Sequence, residues 1–175
     1  REYIMRLMVV SDIHGSLSAC ESSLNRFFEE KADKLRILGD ILYHGPRNSL
    51  PGDYNPKEVA RRLNEYKDRI LCVRGNCDTE VDQMMLDFPI MADYIYVVVD
   101  DLTIFATHGH HYSPERPPQC LPIGSILMTG HTHIACDALY NDYRYMNPGS
   151  PSIPKGGSVP SYIIVDKGEA KLIAF

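Results

Sequence analysis

The sequence predicts an α/β protein built from two packed β-sheets that are covered by helices. In the amino-terminal half, short apolar runs alternate with amphipathic helical segments, a pattern typical of a parallel sheet. In the carboxyl-terminal half, apolar runs come in pairs around short polar turns, which indicates antiparallel hairpins. The chain has 175 residues, 44% of them hydrophobic, and this length favours a single domain over residues 1–175.

The amino-terminal half contains three predicted strands and two predicted helices. The strands are residues 6–10, 34–38 and 69–73. Ser16 is expected to cap a helix that runs to about Lys31. Its predicted buried face consists of Leu17, Cys20, Leu24, Phe27 and Phe28. A second helix is predicted to start at Asn55-Pro56, with Asn as the cap and Pro at the first position. Residues 40–54 form a long polar loop before it, and loops of that length are often functional.

Three hairpins are predicted in the carboxyl-terminal half. Their strand pairs are residues 94–99 with 102–106, 134–140 with 143–146, and 161–166 with 170–175. Asp100-Asp101 is the expected turn of the first hairpin. Residues 113–122 contain four prolines and are predicted to be a surface loop.

Composition excludes several classes of function. The net charge of -5 argues against an electrostatic grip on long nucleic acid, which needs clustered Lys and Arg. No apolar run approaches the ~20 residues that span a membrane. Residues 1–5 lead straight into the first predicted strand, so no signal peptide is expected. The five cysteines form no C-x-x-C pair, which favours reduced thiols in a cytoplasmic protein.

Five of the apolar runs end in residues that can bind a metal ion. These residues are Asp12 and His14, Asp40, Asn76, His108 and His110, and His131 and His133. If the runs are neighbouring strands, their carboxyl ends meet at one edge of a sheet, where open α/β sheets place their active sites. In extended backbone, residues i and i+2 point to the same side. Asp12 and His14 are therefore expected to reach one ion together, as are His131 and His133.

The side chains at these strand ends predict a site for two metal ions. Seven ligands are counted if Asp40 bridges both ions: Asp12, His14, Asp40, Asn76, His108, His131 and His133. Two ions about 3.5–4 Å apart suit phosphoester hydrolysis. Mixed imidazole and carboxylate ligands favour Mn, Fe, Zn or Ni over Ca or Mg.

The motifs D-x-H, GD, GN, H-G-H and GHTH, in this order, resemble the calcineurin-like metallophosphoesterase superfamily. Residues 39–48, 74–84, 105–112, 129–133 and 147–157 further resemble the YfcE-type bacterial phosphodiesterases. The resemblance implies a four-layer α/β/β/α sandwich of two mixed sheets. It implies one metal held by Asp12, His14, Asp40 and His133, and a second held by Asp40, Asn76, His108 and His131. A pair of manganese ions is implied.

The resemblance also implies a reaction, in which a metal-bridging hydroxide attacks the phosphorus of a small or activated phosphodiester in line. Many members of the superfamily carry His after the Asn ligand, where it helps to protonate the leaving group. Cys77 follows Asn76 here, and a thiol is a poor general acid. Good leaving groups are therefore expected. The predicted catalytic set is Asp40, Asn76, Cys77, His108 and His110.

Several alternatives stay open at this stage. His110 contacts substrate, orients a ligand or is structural, and His44 either supports Asp40 or stabilises its loop. Arg47 meets a phosphate or forms a salt bridge. The missing His after Asn76 weighs against a phosphomonoesterase or nucleotidase, and the acidic charge weighs against a nuclease. A scaffold like the retromer subunit of this fold predicts missing ligands, and none is missing. The sequence does not decide whether the chain forms a homo-oligomer.

Overall fold

Two five-stranded sheets form the centre of the protein, in a computed structural model that describes residues 5–99 and 101–175. The first sheet contains β1 (Leu7–Val10), β2 (Lys34–Ile37), β3 (Ile70–Cys72), β9 (Ser161–Asp166) and β10 (Glu169–Ala174), in the order β10-β9-β1-β2-β3. The second contains β4 (Tyr94–Val99), β5 (Leu102–Thr107), β6 (Ile126–Met128), β7 (Cys136–Leu139) and β8 (Arg144–Asn147), in the order β4-β5-β6-β8-β7.

Both sheets are mixed, as predicted. In the first, β1, β2 and β3 are parallel and β9 runs antiparallel to β1. In the second, β5, β6 and β8 are parallel, with β4 and β7 antiparallel at the edges. The three predicted hairpins are present as β4–β5, β7–β8 and β9–β10. Asp100 of the first predicted turn and residues 1–4 lie outside the described residues.

Three α-helices are present in the described residues: α1 (Leu17–Glu29), α2 (Pro56–Asn64) and α3 (Glu80–Met85). A short 3-10 helix, Lys67–Arg69, precedes β3. The side chain of Ser16 accepts a hydrogen bond from the backbone N–H of Ala19, which confirms the predicted cap of α1. Sequence analysis missed α3, although the Thr79-x-x-Asp82 capping box that starts it is readable.

The described apolar side chains form two large cores and a smaller third cluster. Helices α1 and α2 pack on one face of the first sheet, and the second core fills the space between the two sheets. The outer face of the second sheet carries Phe105, Leu127 and Tyr145, which pack against Tyr112 and Leu121 of the loop after β5. The predicted α/β sandwich is confirmed. The layer that covers the outer face of its second sheet includes the loop after β5, whose prolines oppose helix formation.

One smaller prediction needs correction. Phe28 is 44% exposed, whereas it was expected on the buried face of α1. It follows the buried Phe27 by one position, about 100° around the helix, and its ring packs edge-on against Tyr66 at 5.1 Å.

The helices also bear on the prediction about membranes. None of those in the described residues is long and apolar enough to span a bilayer.

Candidate dinuclear metal site

The seven predicted ligands converge where strands of both sheets end. From the first sheet, the segments after β1, β2 and β3 carry Asp12 and His14, Asp40, and Asn76. From the second sheet, the segments after β5 and β6 carry His108, His131 and His133. The expectation of a single sheet edge was wrong, because β5 and β6 belong to the second sheet. Face-to-face packing brings the two sets of strand ends together.

The backbone at five of the seven candidate ligands is left-handed, whereas the two i, i+2 pairs among them were expected to be extended. Seven non-glycine residues in the described part have positive φ, and five of them are candidate ligands. These five are Asp12 (57°), His14 (51°), Asp40 (55°), His131 (68°) and His133 (60°). This conformation costs on the order of 1 kcal/mol or more for a residue with a side chain. The i, i+2 pairs therefore converge through tight turns that the surrounding structure must hold in place.

Four side chains form the first cluster of ligand atoms. His14 Nε2 lies 3.5 Å from Asp12 Oδ1, 3.1 Å from His133 Nε2 and 3.7 Å from Asp40 Oδ2. His133 Nε2 lies 3.3 Å from the same oxygen of Asp12. All four side chains are buried. This is the set that the resemblance implied for metal one.

Asp40 also belongs to the second cluster, which is centred on His108. His108 Nε2 lies 3.4 Å from Asp40 Oδ2, 3.1 Å from Asn76 Oδ1 and 3.2 Å from His131 Nδ1. The other oxygen of Asp40, Oδ1, accepts a hydrogen bond from the backbone N–H of Cys77 at 2.8 Å. Oδ2 is therefore the atom of Asp40 that faces both clusters.

The hydrogen bonds of three histidines test whether these residues fit metal ions. Nδ1 donates to a backbone carbonyl in each: His14 to Tyr43 at 2.8 Å, His108 to Leu38 at 2.6 Å, and His133 to Ile153 at 2.8 Å. A neutral ring has one N–H, so each Nε2 presents a lone pair to the site. Without a cation or a proton, the lone pairs of His14 and His133 would oppose each other.

The hydrogen bonds of Asp12 also indicate that the residues fit metal ions. Its Oδ1 is buried and accepts no hydrogen bond from any described residue. Its Oδ2 is already occupied, by the Ser11 hydroxyl at 2.7 Å and the His131 N–H at 2.9 Å. Ligands about 2.1 Å from a cation in tetrahedral or octahedral geometry lie roughly 3.0–3.4 Å apart, close to the separations in both clusters. The residues present fit two divalent cations.

The pKa directions in the site, for the chain without metal, reflect the same crowding of acceptors. Burial opposes the charge on His108, but Asp40 and Asp12 outweigh it and raise the pKa of His108 to about 9. Burial by itself would raise the pKa of Asp12, but the neighbouring His133 and His14 lower it. The metal-free site therefore holds at least one proton among its acceptors, and a bound cation would displace it.

Asp78 supports the site and was missed by sequence analysis. Its Oδ2 accepts hydrogen bonds from the backbone N–H groups of Asp40 at 2.8 Å and Gly75 at 2.7 Å, and its Oδ1 accepts one from Ile41 at 3.0 Å. This buried carboxylate thus joins the segments after β2 and β3. Burial raises the pKa of Asp78 to about 6. Its position two residues after Asn76 was the available signal.

Two further polar side chains hold the ligand segments from the other side. Ser150 Oγ donates to the backbone carbonyl of Asp12 at 2.7 Å, and Asn147 Nδ2 donates to the carbonyl of Gly130 at 2.8 Å. Both residues belong to the 147–157 segment, whose chemical role the sequence did not reveal.

Glycines precede three of the ligand positions because the backbones approach closely. A Cβ on Gly75 would overlap Asp40, and a Cβ on Gly130 would overlap the side chains of Ser11 and Asp12. Gly39, which has a φ of 93°, would meet the backbone of Gly75. The Gly of the GD, GN and GHTH motifs is therefore a packing requirement of the site.

A cleft of about 320 Å³ opens onto the two clusters. Its walls include Asn76, His131 and the cationic side chains Arg47 and Lys155. Arg47 forms no ion pair with a described residue, and Lys155 Nζ donates to Asn48 Oδ1 at 2.9 Å. Arg47 thus lies where an anionic ligand can reach it. Sequence analysis did not single out Lys155 or Asn48.

The Cys77 thiol lies beside the first cluster, with its Sγ within 4.8 Å of ligand atoms of His14 and Asp40. Burial and the Asp40 carboxylate raise the pKa of this thiol to about 12. In the metal-free chain Cys77 is therefore protonated at neutral pH, whereas a nucleophilic cysteine would need a lowered pKa.

His110 and His44 lie outside the two ligand clusters. The His110 ring is centred 5.4 Å from that of His108 and 4.0 Å from that of His111. Burial and the neighbouring His108 lower the pKa of His110 to about 4. The His44 ring packs edge-on between Tyr43 at 4.8 Å and Tyr54 at 5.3 Å. A catalytic role for His110 stays a prediction, and His44 contributes to an aromatic wall.

Comparison with known proteins identifies the family. The sequence profile of the calcineurin-like phosphoesterase superfamily domain matches residues 5–169. The chain belongs to this superfamily. Calcineurin-like phosphoesterases are metal-dependent hydrolases, so the two clusters are candidate sites for the divalent ions on which this family relies.

Individual relatives of this phosphoesterase extend the comparison. The chain is 48% identical to phosphodiesterase YfcE of Escherichia coli K12 over 171 residues, which cover 98% of the chain and 92% of the relative. The solved structure of that E. coli phosphoesterase matches with a TM-score of 0.93 over 97% of this chain and 93% of that one. Vacuolar protein sorting 29 of Cryptosporidium parvum matches with a TM-score of 0.65 at 16% identity, covering 98% and 97%, which shows the fold alone.

Proposed function

We propose that this calcineurin-like phosphoesterase hydrolyses small or activated phosphodiesters with the help of two divalent cations, manganese being preferred. The observation that carries the proposal is the pair of ligand clusters that share Asp40 Oδ2. The 48% identity to a relative named as a phosphodiesterase supports the choice of diesters. Ligands that mix imidazole, carboxylate and amide oxygen support Mn²⁺, with Zn²⁺, Fe²⁺ and Ni²⁺ as alternatives.

Two bound cations would supply positive charge to the phosphoryl oxygens and lower the pKa of a water molecule at the site. The side chains of this protein control that charge. Of the seven ligands, Asp12 and Asp40 alone are carboxylates, so the loaded site keeps an excess of positive charge that attracts an anionic diester. Arg47 and Lys155 extend that attraction along the wall of the cleft. The charge of the loaded site and these two side chains together hold and orient the phosphate.

Cys77 supports the restriction to good leaving groups. Its thiol borders the cleft, and a thiol is a poor general acid at neutral pH. A phenolate-type leaving group departs without protonation, whereas an alkoxide does not. Diesters of acidic alcohols are therefore the proposed substrates.

The same observations argue against a scaffold function. A scaffold of this fold has no need for seven convergent ligands, for unpaired lone pairs or for strained backbone at the ligand positions.

We place the enzyme in the cytoplasm, since its five cysteines are free thiols, as they are in proteins of reducing compartments.

Removal of the metal tests the proposed function directly. Exhaustive chelation is expected to abolish hydrolysis of bis-aryl phosphodiesters, and Mn²⁺ to restore it, with elemental analysis reporting the bound metal. Asp12→Asn is the matched variant, because it removes the charge of one ligand and keeps its shape. It should lower the metal content. Hydrolysis that survives chelation would exclude a metal-dependent mechanism.

A further inference from the structure

A second cleft of about 360 Å³ lies on the other side of Cys77, and its lining is mainly apolar. The apolar side chains are those of Leu42, Tyr43, Tyr54, Pro56, Val81 and Met85. Lys57 and Asp82 at its margin carry opposite charges. Clefts of this size with predominantly apolar walls are typical of small-molecule sites.

The apolar cleft adjoins the metal cleft. Cys77 contributes to the walls of both. The segment after β2 also runs along both, since Leu42 and Tyr43 line the apolar cleft and residues 45–48 line the metal cleft. Tyr43 is further tied to the first cluster, because its carbonyl holds the His14 ring. An ester group attached to a phosphate at the two clusters therefore has the apolar cleft next to it, across Cys77.

The walls of this cleft expose apolar surface that folding has left in water. Val81 is 67% exposed and Met85 41% exposed on the short helix α3, and Tyr43 opposite them is 40% exposed. The edge-on stack of Tyr43, His44 and Tyr54 makes the opposite wall aromatic. An aromatic ring entering here would bury its own apolar surface and that of these side chains, which is favourable.

We propose that the apolar cleft binds one ester group of the substrate, an aromatic or similarly apolar one, while the phosphate lies at the two metal clusters. The proposal rests on the proposed function and specifies its substrate class. It makes Tyr43, Val81 and Met85 determinants of specificity. The phosphate supplies affinity through charge, and the cleft selects the alcohol through its apolar surface.

Binding of phosphonates by the Mn²⁺-loaded protein tests this, because their C–P bond is not hydrolysed and the readout is independent of catalysis. Calorimetry is expected to show phenylphosphonate binding about tenfold more tightly than methylphosphonate, the gain expected from burying most of one ring. Equal affinities would overturn the apolar subsite and leave the proposed function standing. Binding of neither compound would remove the phosphate site and this inference with it.

Adjacent methionines on α3 provide a matched control. Met85 lines the cleft, whereas Met84 is 85% exposed and does not. Met85→Ser is expected to reduce the preference for phenylphosphonate several-fold, and Met84→Ser to leave it as in the wild type. Val81→Asp, at an exposed position of the same helix, should reduce it as well and serves as a second variant if Met85→Ser fails to fold. Equal effects of Met84→Ser and Met85→Ser would contradict the proposal.

Discussion

The turns that carry the candidate ligands hold one another in their left-handed conformation. The backbone N–H of Asp12 donates to the carbonyl of Gly39 at 3.1 Å, and that of His14 donates to the carbonyl of Asp40 at 3.0 Å. The ligand segments after β1 and β2 are therefore hydrogen-bonded directly to each other through their backbones. Strain at individual residues is offset by these contacts, and the ligand atoms are preorganised.

Cys77 is the residue expected to set the choice between phosphodiesters and phosphomonoesters. In Cys77→His, the imidazole can donate a proton to an alkoxide leaving group, so turnover of phosphomonoesters is expected to rise by about tenfold or more. Steady-state kinetics on a monoester and a diester measures the change. Cys77→Ser, which adds no comparable acid, is the control. Unchanged monoester turnover in metal-loaded Cys77→His would disprove this role.

The pKa of His108 predicts how metal affinity depends on pH. This pKa is raised from 6.5 to about 9 in the metal-free chain, so protonated His108 stabilises that state fully below pH 6.5, and the contribution is lost as the pH rises through 9. A metal ion needs the neutral ring, so its affinity should increase as the pH rises towards 9, with release of a proton at neutral pH.

Calorimetry of Mn²⁺ binding in buffers of different ionisation enthalpy counts the released protons. His111→Asn is a suitable control, because His111 is exposed and is not a candidate ligand. It should leave proton release unchanged. Metal binding at neutral pH without proton release would show that His108 is already neutral there.

The strands contribute to the candidate site mainly through the turns that follow their carboxyl ends. β1, β2, β3 and β6 are only three or four residues long, and each is followed by a turn that carries a ligand. Gly75 lies where the turn after β3 crosses the turn after β2, with Asp78 bonding to both. The turns therefore depend on one another more than on the strands that precede them.

Gly75→Ala tests this close approach of two turns. Its methyl group would overlap Asp40, so metal content and diesterase activity are expected to fall by about tenfold or more while the fold is retained, as checked by circular dichroism and elemental analysis. Gly52→Ala is the matched control, since a Cβ there meets no atom within 4 Å. Full activity in Gly75→Ala would show that the turn can move aside without loss.

Across the whole molecule, the site depends on the packing of the two sheets against each other, because each sheet supplies part of the ligand set. Val165 on β9 is fully buried in the core between the sheets. Val165→Ala removes two methyl groups there and is expected to lower the free energy of unfolding by about 2 kcal/mol.

Urea unfolding measures that loss. Val98→Ala on β4 is the control, since Val98 is 68% exposed, and it should cost less than about 1 kcal/mol. Equal costs for the two variants would mean that packing between the sheets contributes little at Val165.

The ligands could be predicted from the sequence because each follows an apolar run directly, and the chemistry of Asp, His and Asn is local information. Their convergence is now a feature of the structure, whereas their individual roles in metal binding stay predictions. Asp78 and Lys155 were missed for a physical reason. A carboxylate that accepts backbone N–H groups and a lysine at a cleft wall look like any surface residue until distant segments are placed beside them.

The sequence by itself determined the family, the mixed sheets, the hairpins and the set of candidate ligands, because these depend on periodicity and on residue types at short range. The tertiary structure decided three other things: that β5 and β6 belong to a second sheet, that the ligand turns are left-handed, and that an apolar cleft lies next to the metal cleft at Cys77. Each of these depends on contacts between segments far apart in the chain, and such contacts follow from packing of the whole molecule.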